Sequence, residues 1–425
     1  MWTTLRGALR SRTLILAELL LVALAGVLLT LVPQQDEAPL PPEHWLHAHP
    51  ALVTALRVLE LDRVLRAHWF AALIALATVT LSVVLVDQWR RAARVLVRAP
   101  EESQFHDAPL RGGWERDVVP GTAALRFQVS GRAAGLGPPV FHSGLWCVVV
   151  AGLLRVLWGA DAQVDLVEGE TLRAGPGAWS AQWPGPLAAA VSLEAPMRFD
   201  RLRVARYASL DLRGLVAEVT HGDEPVEVAV NTPLNVGPER VHLALLHGPA
   251  VLLEVAGARG AERAAVLAWP SSTRGVYEGT AVLETGMDVV ARARIDEEAH
   301  LPAQVELRVK RGSALLFVGA VAAGAVFTVE PGTTFTVHGI RWWARFNGSR
   351  DIAWWLAYAG FALCVLGAML MFLVTRVDTL VRVTPCGAGR ERVEVVLRPH
   401  RFAPLYRERL DQVARSEGWR GEGPP

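Results

Sequence analysis

The side chains with chemical reach sit where such groups are costly. The stretch Pro138–Trp158, PPVFHSGLWCVVVAGLLRVLW, is apolar enough to span a bilayer, yet carries His142 near one end and Arg155 near the other. An ionisable group inside a membrane segment costs on the order of a few kcal/mol, so each is a candidate functional residue. Residues three and four further along a helix share a face, which puts Leu145 and Trp146 beside His142. A neutral imidazole in apolar surroundings suits an axial position on haem iron, and an aromatic neighbour can pack on the porphyrin. The competing reading is a histidine near a helix end that bonds a backbone carbonyl. Arg155 lies roughly 20 Å along the helix at about 1.5 Å per residue. There it can meet an anionic group such as a haem propionate, or simply snorkel to the interface.

Other polar residues need the same double reading. Glu18, in the inner part of the first apolar run, either pairs with an arginine of a neighbouring span or partner, or sits snorkelling or protonated at the inner boundary. His68, His338 and the pairs Trp342–Trp343 and Trp354–Trp355 are expected where a polar domain meets the membrane. An aromatic belt explains the tryptophans, and His68 is a further candidate for contact with haem. The tract His44-Trp45-Leu46-His47-Ala48-His49 reads as an interfacial segment rather than a metal site. No metal ligand set and no catalytic residue stands out. No G-x-S-x-G, H-E-x-x-H, Walker A or G-x-G-x-x-G falls in a credible setting. The three cysteines, Cys147, Cys364 and Cys386, form no C-x-x-C, so thiol exchange and covalent haem attachment to this chain are not expected.

These residues need membrane helices to position them. Apolar residues make up 52% of the 425, and the net charge of +1 gives no field that would favour nucleic acid. Four spans are expected: Leu14–Val32, Trp69–Val86, Val140–Trp158 and Ile352–Val374. The first run is too long for a signal peptide, so it reads as a retained helix. Residues 33–68 form a mildly acidic loop with an amphipathic run at Ala51–Leu61. Residues 87–139 read as a polar, arginine-containing loop, and 375–425 as a basic tail.

From 160 to 351 the pattern changes to alternation, as in Val305, Leu307 and Val309 between Glu306, Arg308 and Lys310. Turn signals at Glu168-Gly169-Glu170, His221-Gly222-Asp223 and Pro331-Gly332 punctuate it. The fold class expected is therefore membrane α plus β, four helices with a large β-rich domain between the third and fourth. The apolar run Ala314–Phe327 is too short to cross and reads as a buried strand pair. Arginines cluster before span one, after span two and after span four. The positive-inside rule then puts both termini in the cytoplasm and the β domain outside.

The order of parts resembles the ResB-like family, the CcsB-type component of system II cytochrome c biogenesis. LLTLVPQ at 28–34 and LELDRVLRAHWFAALIALATVTLSVVL at 59–85 look like that family's first-span end and second span. GLGPPVFHSGLW at 135–146 is similar to its opening of the third span, and His142 falls on the family histidine. QVDLVEGET at 163–171, VNTPLNVGPERVHLAL at 230–245 and the run from Thr336 into the fourth span follow in the same order. Two positions depart. The family's His-Ser-Trp-Trp-Phe is here Arg66-Ala67-His68-Trp69-Phe70, and its Tyr-Gln after the Val-Asn-x-Pro-Leu stretch is missing. The resemblance implies a subunit of a bacterial inner-membrane complex, not an enzyme on its own. Such a subunit works with a separate CcsA-like protein, conveys haem outward and presents it to apocytochrome c. His142 would then be a haem ligand. The alternative is a non-catalytic scaffold or sensor whose outer β domain binds an envelope partner without haem.

Overall fold

The computed structural model describes residues 7–34, 45–97, 100–117, 124–257, 260–296, 298, 300–387 and 390–408. Its helices are α1 (Arg12–Leu31), the short α2 (Pro50–Val58), α3 (His68–Val97), α4 (Gly137–Trp158) and α5 (Trp354–Leu373). Among the described residues, the four long helices are apolar enough to cross a membrane. Three of the four lie within three residues of the expected bounds at both ends. The exception is α3, which runs past Val86 through Arg90, Arg91 and Arg94 to Val97. Nothing in Asp87–Val97 breaks a helix. The chain divides into two compact units, one within 1–26, 69–153 and 353–425, the other within 27–68 and 154–352.

In the first unit, α3 uses two faces. Thr80 Oγ1 donates to Glu18 Oε1 of α1 at 2.9 Å, and Arg10 pairs with Asp87. On the other face, Trp146 Nε1 of α4 donates to Ser82 Oγ at 2.8 Å. Trp89 Nε1 donates to Ser143 Oγ at 3.1 Å. Close approach of α4 and α5 depends on glycine. A Cβ on Gly144 would stand 2.5 Å from the Cys364 amide nitrogen and the Gly360 carbonyl oxygen. Gly137 and Gly367 are equally confined, against Met371 and Phe141. Small residues on both helices let the backbones meet, the usual solution where lipid removes the hydrophobic drive.

This unit also contains a sheet that the polar loop and the basic tail did not announce. Leu110–Asp117, Ala124–Ser130, Val377–Gly387 and Arg390–Pro399 form four antiparallel strands. The two tail strands pair centrally, and each loop strand pairs only with a tail strand at the edge. Leu110, Trp114, Val377, Val393, Val395 and Leu397 make its core. Frequent arginines between these apolar positions gave the segments their look of loop and tail. Asp378, 1% exposed, accepts from Arg376 Nε at 2.8 Å and from His400 Nε2 at 3.0 Å.

The second unit carries the large β region, which runs in sequence from Ala160 to Arg350, between α4 and α5. Two long strands, Glu239–Gly257 and Thr333–Arg350, pair antiparallel and form its spine. They belong to a seven-stranded sheet that also contains Ala160–Val167; sheets of five and four strands accompany it. Val305, Leu307 and Val309 are buried, as their alternation requires. Gly222 (φ +60°) and Gly332 (φ +81°) make two of the expected turns in the left-handed region. Phe199, Phe335, Trp343 and Phe346 fill the core.

Two expectations need correction here. Trp342 and Trp343 are not interfacial: both are buried, and Trp343 Nε1 donates to the Ala268 carbonyl at 2.9 Å. Strand alternation turned them to opposite faces that are both covered. The run Ala314–Phe327 is strand, but in two sheets and mostly unburied. Ala314–Ala322 pairs with Gln304–Arg311, and Val326–Glu330 pairs with the strand beginning at Thr333. Val321 is its one buried residue, while Leu315 and Val318 are exposed. Trp354 and Trp355, by contrast, are exposed at the start of α5, as a belt requires.

Candidate functional site

The candidate residues divide between the two units. Glu18, His142 and Trp146 belong to the first; His68 and Arg155 belong to the second.

His142 lies in the second turn of α4, after the adjacent prolines Pro138 and Pro139 that start the helix. Its Nδ1 lies 2.8 Å from the Pro138 carbonyl oxygen. A carbonyl only accepts, so Nδ1 carries the hydrogen, and Nε2 of the neutral ring keeps its lone pair. The helix-end reading of this histidine is thus correct for one nitrogen and leaves the other open. A backbone bond at Nδ1 is also what fixes the tautomer of many metal-ligating histidines. Helix α4 meets α3 through Ser143 and Trp146, and α5 through Gly137 and Gly144. At roughly 3.6 residues per turn, His142 falls on the flank beyond Trp146, away from α5. Its side chain is half-exposed there. Phe141 packs edge-on against it, with ring centroids 5.7 Å apart. The bond from Trp146 to Ser82 fixes that indole at the edge of the same flank.

Glu18 is buried, at 7% exposure, and takes its hydrogen bond from a hydroxyl of α3 rather than from an arginine. It ties α1 to α3. Arg155 is held in an ion-pair group: its Nη2 lies 2.5 Å from Asp161 Oδ1 and its Nε 3.8 Å from Asp351. Arg66 Nη2 reaches Asp161 Oδ2 at 3.3 Å while its guanidinium stacks 4.5 Å over the Trp183 ring. The anion that Arg155 meets is therefore supplied by this chain. His68 starts α3, and its Nδ1 donates to Glu60 Oε1 at 2.9 Å. The same carboxylate accepts the His68 backbone N–H at 2.8 Å, which caps the helix. The His68 ring is otherwise open to solvent.

His44 lies outside the described residues; the backbone of Trp45–Ala48 forms a short 3₁₀ turn. His338 Nε2 bonds Glu254 at 3.1 Å on the surface of the β unit. Sequence reasoning missed Ser82, Trp89 and Ser143, the polar contacts that seat α4 on α3. No spacing rule pairs residues so far apart in the chain. It also missed Asp161 and Asp351, although a carboxylate just beyond each of two spans was a readable cue for Arg155. No cluster of three or more metal-ligating side chains occurs among the described residues.

A family model, that of the ResB-like family, matches residues 13–263, more than half of the chain. The chain belongs to the ResB-like family. A search of curated proteins finds no match. The ResB-like family is associated with cytochrome c biogenesis. The matched region contains Glu18, His68, His142, Trp146 and Arg155; it ends in the strand Gly260–Leu267. α5 and the two tail strands of the small sheet lie beyond it.

The residues at His142 suit haem, whose iron the imidazole would hold. The donor is an open imidazole nitrogen with a set tautomer, beside an indole, on a flank that neither α3 nor α5 covers.

Proposed function

We propose that this ResB-like chain is the CcsB-type membrane subunit of a system II cytochrome c synthase. In this reading it works with a CcsA-like partner, takes part in conveying haem across the bacterial inner membrane and presents it to apocytochrome c. The observation that carries the reading is His142 within the family-matched region, whose Nδ1 is held by the Pro138 carbonyl and whose Nε2 is left open. Haem iron would be held there by His142, with Trp146 against the porphyrin and the remaining contacts from the partner. When bound, the haem itself supplies the vinyl groups to which cytochrome cysteines are joined. This chain's residues bind and orient it.

The arginine distribution supports an orientation with both termini in the cytoplasm. The large β region would then lie outside, where apocytochrome is met, and the small sheet inside. Arg155 has a structural part in this scheme, holding the end of α4 to Asp161 and Asp351.

The test is haem co-purification from detergent extracts of the chain co-expressed with a CcsA-like partner, comparing wild type with His142→Ala. Loss of bound-haem absorbance from an intact complex is the expected result. Haem retained at wild-type level would remove His142 from the site. Absence of both haem and partner in wild type would defeat the whole reading in favour of a scaffold.

A further inference from the structure

An open cleft lies in the first unit between α1 and the far end of α3. It has a volume of about 570 Å³, and it is lined by Arg10, Ile15, Val84, Asp87, Arg90, Arg91 and Arg94. Four guanidinium groups and one carboxylate leave the lining strongly positive. Asp87 is paired with Arg10. Among the described residues no carboxylate pairs with Arg90, Arg91 or Arg94; Arg94 Nε donates only to the Arg90 carbonyl, at 3.3 Å. At the other side of the cleft, Ile15 and Val84 belong to the apolar parts of the two spans. The site therefore grades from unneutralised charge to hydrocarbon-level surface over a few helical turns.

We infer that this cleft binds the headgroup of an anionic phospholipid, with the phosphate on Arg90, Arg91 and Arg94 and an acyl chain along Ile15 and Val84. Guanidinium forks match phosphate oxygens, and a basic pocket between membrane helices is a natural receptor for an anionic headgroup. The apolar part of the lining argues for an amphiphile rather than free phosphate. The direction of the cleft argues against haem bound for His142. Arg90, Arg91 and Arg94 lie on the side of α3 that carries Asp87 and Thr80 to α1, while Trp89 and Ser82 carry the opposite side to α4. The lipid would fasten α1 to α3 at the membrane surface, next to the buried bond between Thr80 and Glu18.

The experiment uses the full chain, purified in mild detergent, stripped of lipid and followed by native mass spectrometry. Dioleoyl phosphatidylglycerol, dioleoyl phosphatidylcholine and inorganic phosphate are added separately. Wild type should retain phosphatidylglycerol in preference to phosphatidylcholine, and millimolar phosphate should not displace it. The triple variant Arg90→Gln, Arg91→Gln, Arg94→Gln should lose about a hundredfold in affinity, at about 1 kcal/mol per arginine and 1.4 kcal/mol per tenfold. Arg401→Gln, at the membrane end of α5, should bind as wild type. The single variant Arg91→Gln, expected to fall several-fold, keeps the test open if the triple variant does not fold. Equal retention of both lipids, equal loss in Arg401→Gln, or displacement by phosphate would each overturn the inference.

Discussion

Burial pushes the imidazole of His247 down to about 4, with the guanidinium of Arg206 adding to the effect against the bond to Leu245. The ring sits beside a register shift in the long strand Glu239–Gly257, among Tyr277 and Trp342. Its Nδ1 donates to the Leu245 carbonyl at 2.8 Å, and its Nε2 has no partner. An unfolded histidine titrates near 6.5, so between about 6.5 and 4 the unfolded chain binds a proton that the folded chain refuses. Stability from this group is whole above about 6.5 and is lost as pH falls towards 4. From pH 7.5 to 4.5 the loss should be about 2.5 kcal/mol. Denaturant unfolding of the full chain at the two pH values checks it: His247→Asn should lose that much less on acidification than wild type, and an equal loss would place the acid sensitivity elsewhere. A second residue-scale test concerns Arg345, which holds Asp165 through two bonds of 2.7 and 2.9 Å while stacking 4.8 Å over Trp269. Removing one partner leaves a largely buried charge, at a cost of about 3–5 kcal/mol. Asp165→Ala should show that cost, and adding Arg345→Met should restore part of it, measured by the same unfolding curves.

Among the elements, the contact of α4 with α5 rests on backbone proximity that only glycine permits. Gly144 has Cys364 and Gly360 where a side chain would go, whereas Gly152, two turns on in the same helix, has open space. Gly144→Leu should therefore force the helices apart and cost about 1–3 kcal/mol or more, while Gly152→Leu should leave thermal stability in detergent nearly unchanged. Similar losses in both variants would mean that the glycines matter for helix propensity alone. The same elements show what the sequence could reveal. Apolar runs of span length and the alternation of Val305–Val309 report burial on simple periods, so helices and large β region were readable. The strands at 110–130 and 377–399 were not, because arginines interrupt their alternation and both loop strands find their partners only in the distant tail. Trp342 and Trp343 were misplaced for a related reason: adjacent tryptophans near a span suit an aromatic belt, and only strand pairing reveals that both of their faces are covered. At the candidate site, type and position singled out His142, but the bond that settles its tautomer came from its helix geometry.

For the whole molecule, the loop strands and the tail strands make one folding unit across more than 240 residues of intervening chain. Leu110–Asp117 pairs with Arg390–Pro399, and Ala124–Ser130 pairs with Val377–Gly387; the two loop strands do not pair with each other. A chain ending at Val374 keeps all four long helices but loses both central strands of the sheet. The edge strands then have no ladder, and Leu110 and Trp114 lose Val377, Val393, Val395 and Leu397 from their core. Two isolated edge strands cannot be stable in water. Residues 100–136 should therefore become accessible to trypsin, which has Arg111 and Arg126 to cut there, while the large β region, built wholly from residues 160–350, keeps its resistance. Limited proteolysis of the full and truncated chains in detergent, with fragments identified by mass, reads both halves of the expectation. Protection of residues 100–136 in the truncated chain would show that the loop holds its own fold. Loss of protection in the large β region as well would show that the two units depend on each other for stability.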